Sequence, residues 1–363
     1  MTATEARTLE AYFATDAFGI AQATKERLLL DDLVALTEHH RRACPPYASF
    51  VAAVHGDGAF DTIADLPALP VRSFKTHRLA SIPDDEVFKT LTSSGTTGDA
   101  VSRIFLDRAA ASLQTKALNH TMRAVLGRER LPMLVADSAS VVKDRRTFSA
   151  RGAGVVGMMP FGRDHAFALD DEMRLDQPAV RSFLERHGHK PFLVFGFTFM
   201  VWLHLYEPAR AAGLDLSKGT LVHSGGWKKM VEQSVDPATF RRRLGDDTGL
   251  TRIHNFYGMV EQIGSVFLEG PEGDGTLYPP AFADVIVRDP VTWREAEVGE
   301  VGVIEVVSAL PSSYPGHVLL TEDLGVVHGV DDGPHWRGKR LSVVGRVPRA
   351  EVRGCSDTFA GGR

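Results

Sequence analysis

The chain has 363 residues, 44% of them hydrophobic and 24% charged, a balance that excludes a disordered, collagen-like or coiled-coil protein. Its 41 basic and 46 acidic side chains leave a net charge of −5 with no Lys/Arg block, so neither nucleic acid nor an anionic membrane is expected as the main partner. The two cysteines, Cys44 and Cys355, lie far apart in no CxxC pattern, which argues against a disulfide framework or structural zinc and for a reducing cytoplasm.

The N-terminus lacks the basic-then-apolar pattern of a signal peptide. The longest apolar stretch, 192–206, is shorter than the roughly 20 residues of a membrane span. In chain order, 24–42 places Leu28, Leu29, Leu33, Leu36 and Thr37 at helical spacing and ends before Pro45-Pro46. Pro67, Pro70 and Pro83 then mark an irregular stretch. A strand at 87–92 runs into a Ser/Thr/Gly loop, and Asp107 N-caps a helix that Gly127 closes. Strands are expected at 131–136, 192–195, 220–223 and 252–256, with helices at 198–212 and 236–244 between them. This alternation predicts an α/β fold with a partly parallel sheet. From about 280 the pattern turns to strands alone, at 282–288, 301–308, 317–320 and 341–344, which suggests a meander or a small barrel-like subdomain. The expected division is a core over 1–280, a mainly β part over 281–346 and a tail over 347–363.

The loop Thr92-Ser93-Ser94-Gly95-Thr96-Thr97-Gly98 combines hydroxyl donors with glycines that permit positive φ, and successive N–H groups in such a loop cradle an anion. It is neither GxxxxGK[ST] nor GxGxxG, so from composition alone a phosphate loop and a plain surface loop stay open.

The segment Ser94-Gly-Thr-Thr-Gly98 resembles the phosphate loop of the adenylate-forming superfamily. Four more segments resemble that family's motifs in the same order: His223-Ser-Gly-Gly-Trp227, Asn255-Phe-Tyr-Gly-Met-Val-Glu261, Thr321-Glu-Asp-Leu-Gly325 and Gly345-Arg346. Seventeen residues follow Arg346. The chain is therefore expected to lack the superfamily's C-terminal domain and its catalytic Lys. In that respect, and in Arg353-Gly-Cys-Ser356, it is similar to the acyl-protein synthetases of the bacterial bioluminescence fatty-acid reductase complex.

The resemblance implies an α/β nucleotide-binding core with a smaller mainly β subdomain. It implies ATP and Mg²⁺ as cofactors, and activation of a carboxylic, fatty acid to acyl-AMP before transfer to a thiol. Glu261 would hold Mg²⁺, and Arg103 would serve as a phosphate cation. Tyr257 and Gly258, with Asn255, would face adenine, and Ser224, Gly225 and Gly226 would form the opposite wall. Asp323 would bind the ribose, with Arg346 beside it, and Cys355 would carry the acyl group. The acceptor beyond Cys355 would be a partner protein such as a reductase or carrier. Val260 departs from the pattern, since many relatives have a Thr there. Glu261 is expected at the surface, removable without loss of the fold. The alternatives are an acyl- or aryl-CoA ligase and a non-catalytic nucleotide-binding subunit.

Overall fold

The structure is a computed structural model that describes residues 3–55, 58–93, 101–143, 150–226 and 234–347. One sheet of twelve strands organises the chain. Its parallel half runs in the spatial order Gly162–Leu169, Leu131–Ser138, Phe192–Phe197, Gly219–Ser224 and Arg252–Tyr257. Its three central strands are buried along almost their whole length and read as mainly apolar runs. That is why the sequence announces them.

The antiparallel half continues edge to edge from the last parallel strand. Phe267–Glu269, Leu277–Tyr278, Lys339–Arg346, Val318–Val330, Val301–Ser308 and Ala283–Arg288 follow in space. The last four form a meander, and its Lys339–Arg346 strand pairs with Leu277–Tyr278, joining the meander to the α/β sheet by hydrogen bonds. The strand expected at 317–320 runs much further, to Val330. A separate hairpin, Lys89–Thr92 with Arg103–Leu106, carries the Ser/Thr/Gly loop.

Local chemistry accounts for the helices. Arg108–Leu126 is N-capped by the Asp107 carboxylate, which accepts from the Ala110 N–H, and it ends at Gly127 with φ +74°. Asp176 and Asp236 cap Gln177–His187 and Pro237–Thr248 in the same way. The helix expected at 198–212 forms, but its middle, Val201–Tyr206, widens into a π-helical turn. Helix Gln22–Ala43 buries Leu29, Leu33 and Thr37 as its spacing requires, and also Lys25 and His40, which periodicity does not reveal. Pro45 ends that helix by starting the next, Pro45–Val54, from its first position. The strand Gly162–Leu169 and the helix Gln177–His187 have no counterpart in the sequence reading, because the strand carries Arg163, Asp164 and His165 on an outer edge of the sheet.

Candidate active site

Ligands of open α/β sheets bind beyond the carboxyl ends of the strands, and the residues singled out in the sequence gather there. Ser224, Gly225 and Gly226 follow strand Gly219–Ser224, and Asn255, Tyr257 and Gly258 end the neighbouring strand Arg252–Tyr257. Gly225 takes φ +84°, a conformation that a side chain disfavours, and so turns the chain sharply past the strand end. Asp323 and Arg346 face each other across the two long antiparallel strands.

Three of these side chains form one hydrogen-bonded chain. The Tyr257 hydroxyl donates to Asp323 Oδ2 at 2.7 Å, and Arg346 Nε donates to Asp323 Oδ1 at 3.0 Å. Burial and the Asp323 carboxylate hold the Tyr257 phenol well above its usual pKa, so it stays a donor. Thr321 fixes the turn: its hydroxyl donates to the Ile304 carbonyl at 2.7 Å and accepts from the Asp323 N–H at 3.1 Å. Asp323 is thus aimed by two donors and keeps lone pairs for others.

Next to this chain a cavity of about 280 Å³ opens beside Gly225, Gly226, Thr198, His223 and Asn255. Its floor is an ion pair between the buried Glu269 and the half-buried Arg241. Glu269 Oε1 accepts from Arg241 Nε at 3.1 Å and from the Gly275 N–H at 2.8 Å, while Oε2 accepts from the Asn255 N–H at 2.8 Å. That pins the backbone of Asn255. The Asn255 Oδ1 is buried without a hydrogen-bond partner, an unmet acceptor on the cavity wall. His223 is held neutral, its pKa lowered to about 3 by burial and by the Arg241 charge, and it pairs with the Thr198 hydroxyl at 2.9 Å.

Glu261 corrects an expectation. It sits on the turn Val260–Gln262 and is buried, 7% exposed, rather than at the surface. Burial raises its pKa, the neighbouring Ser102 side chain opposes the shift, and Glu322 raises it further. Ser102 stands at the foot of the Ser/Thr/Gly loop, where its N–H donates to Ser93 Oγ at 2.9 Å and the Ser93 N–H donates back to its carbonyl at 3.1 Å. Thr92 pairs with Arg103 across the hairpin, both exposed. The fold therefore sets the base of the loop against Glu261, a link through Ser102 that no motif in the sequence marks. Ser94, Gly95, Thr96, Thr97, Gly98 and Cys355 lie outside the described residues.

Sequence reasoning also missed the buried Thr198, Glu269 and Thr321 and the half-buried Arg241. Thr321 heads a quoted motif, and the acid in Phe267–Glu269 was a visible anomaly in an apolar strand. Among the described residues no group of three or more His, Cys, Asp or Glu side chains forms a metal cage, and no helix is long and apolar enough to cross a membrane.

The acyl-protein synthetase (LuxE) family model matches residues 3–361. Long-chain-fatty-acid–luciferin-component ligase from Aliivibrio fischeri is 24% identical over 321 residues, covering 86% of this chain and 83% of the relative. Its counterpart from Vibrio harveyi is 25% identical over 330 residues, covering 88% and 84%. Among solved structures, an open conformation of 2-hydroxyisobutyryl-CoA ligase superposes with a TM-score of 0.67 at 17% identity, covering 92% of this chain and 72% of that one, a likeness of fold.

Proposed function

This chain belongs to the LuxE family of acyl-protein synthetases, and from that premise we propose how its site activates an acid and which residue receives the acyl group. It is an ATP-dependent ligase that activates a fatty acid and transfers the acyl group. A carboxylate oxygen of the acid attacks the α-phosphorus of ATP, the bond to pyrophosphate breaks, and a thiolate then attacks the acyl carbonyl and releases AMP. Both reactants of the first step are anions, so the site must neutralise charge and hold them in line.

The observation that best supports the nucleotide assignment is the unmet Asn255 Oδ1 on the cavity wall beside Gly225 and Gly226. An adenine amino group supplies the missing donor, and the glycines leave room for the base. Asp323, aimed by Tyr257 and Arg346, accepts from ribose hydroxyls. The loop over 92–98 serves the phosphates with N–H and hydroxyl donors, with Arg103 at its foot. Mg²⁺ neutralises phosphate oxygens in such reactions and takes only one or two protein carboxylates, so Glu261, with Glu322 near it, suits that ion although the described residues form no cage.

Cys355 is the thiol proposed to receive the acyl group, before passage to an acceptor such as a reductase. Cys44 is the internal control, since it is buried and burial raises its thiol pKa. The test supplies labelled fatty acid, ATP and Mg²⁺, then denatures the protein. Label released by neutral hydroxylamine from the wild type, and lost in Cys355→Ser with Cys44 intact, is the expected result. Retention in Cys355→Ser overturns the assignment of Cys355.

A further inference from the structure

At the carboxyl end of Leu131–Ser138 stands a charged pair that the nucleotide site does not use. Asp137 is 1% exposed, and its Oδ2 lies 3.1 Å from the Nε of Arg151, a residue of helix Ala150–Met158. The distance makes an ion pair, but Asp137 Oδ2 and the Arg151 Nε and Nη1 are all buried without a hydrogen-bond partner. Polar neighbours are satisfied by contrast: the Ser138 hydroxyl donates to Asp171 Oδ1 at 2.5 Å and accepts from the Ser140 N–H at 3.1 Å. Three unmet polar atoms on a buried aspartate and an adjoining, largely covered arginine require a reason.

Their place in the sheet supplies one. Val135 pairs with Phe195, which puts Asp137 level with Phe197, and Phe197 pairs with Ser224. Two strand spacings, roughly 10 Å, thus separate Asp137 from the glycine turn of the nucleotide site along one row of strand ends. The Phe197 ring links the two places. A Cβ on Gly225 would lie 3.6 Å from the ring, and one on Gly154 would lie 2.8 Å from it. Gly154 is three residues beyond Arg151, on the same face of its helix. The pair therefore lies on the same row of strand ends as the glycine turn, the side on which open α/β sheets bind their ligands.

We infer that Asp137 and Arg151 recognise a hydroxyl group on the acid, so that hydroxylated acids are the favoured substrates. The inference rests on the adenylating reading above. The unmet atoms ask for one donor and one or two acceptors at a single point. An ammonium group would suit Asp137 and be repelled by Arg151, and a second carboxylate would do the reverse. A hydroxyl is neutral and does both, donating to Asp137 Oδ2 and accepting from Arg151 Nη1. Burial holds the Asp137 carboxyl up at about 6 even beside Arg151, as expected of a pair with missing hydrogen bonds. A plain alkyl chain would leave all three atoms unmet, and a site built to bond a hydroxyl discriminates strongly against the analogue without one.

The test is ATP–pyrophosphate exchange by the full chain with acids matched in length, with and without one hydroxyl placed at successive positions, and with aryl acids with and without a ring hydroxyl. The expected result is a kcat/KM at least about tenfold higher for one hydroxylated acid than for its parent, the scale of one unpaired buried group. In Asp137→Leu/Arg151→Met that ratio falls to about one or inverts. The two are replaced together because either alone leaves a buried charge unpaired. Exchange that favours the unsubstituted parents throughout, or that prefers an N-acyl amino acid, overturns the inference and leaves adenylation standing, and so does a ratio unchanged in the double variant. Exchange with no acid at all overturns both.

Discussion

Lowering the pH from 7.5 to 4.5 strains this fold by a calculable amount. His223 and His317 are both buried, and burial lowers each pKa to about 3. The unfolded chain protonates its histidines near the ordinary value of about 6.5. Between those limits the unfolded state binds protons that the native state refuses, so stability falls as pH falls through 6.5. At pH 4.5 the gap of two units is worth about 3 kcal/mol for each, at about 1.4 kcal/mol per unit. His254, lowered to about 4, acts in the same direction. Asp137 opposes them: its native pKa, raised to about 6, exceeds the unfolded value of about 3.9, so it returns about 2 kcal/mol at pH 4.5. With His254 costing nearly as much as the other two, the net loss is about 7 kcal/mol, a large share of the 5–15 kcal/mol typical of a folded protein. Urea unfolding at the two pH values reads it as a midpoint drop of about 2 M, for a slope of about 3 kcal/mol per M. His317→Asn should remove about 3 kcal/mol of that pH dependence. A midpoint that does not move, or a drop of the same size in His317→Asn, would refute the reasoning.

Two substitutions probe the nucleotide site. Tyr257→Phe removes the 2.7 Å donor to Asp323 Oδ2. A hydrogen bond to a charged group is worth about 1.5–3 kcal/mol, and Arg346 still holds the other oxygen, so KM for ATP should rise about tenfold with kcat less affected. An unchanged KM removes Asp323 from the site. Glu261→Gln keeps the shape of a buried side chain and removes its charge. Exchange should slow by about a hundredfold or more, the cost of losing a placed electrostatic group, while thermal stability holds or improves because burial already disfavours that charge. Full activity in Glu261→Gln contradicts its assignment to Mg²⁺.

What the sequence made legible was what repeats or stands alone. The central parallel strands showed because they are buried almost throughout, and two of the capped helices showed where Asp107 and Asp236 precede them. The pairing of Asp323 with Arg346 was implied by two motifs, but their convergence with Tyr257 depends on three strands distant in sequence, and only the sheet supplies that. Glu261 read as a surface acid because Glu usually is one. Its burial follows from the hairpin foot at Ser102, a contact between segments about 160 residues apart. The Asp137–Arg151 pair was invisible for the same reason, since neither residue belongs to a motif and their meeting is a product of helix Ala150–Met158 lying on its strand.

The central claim is that this chain joins a carboxylic acid to the α-phosphate of ATP, and ATP–pyrophosphate exchange measures that step alone. With Mg²⁺ present, labelled pyrophosphate should enter ATP only when an acid is supplied, and chelation of Mg²⁺ should abolish it. ATP binding without exchange, across acids from short aryl to long aliphatic, would contradict the account and leave a nucleotide-binding protein that does not adenylate.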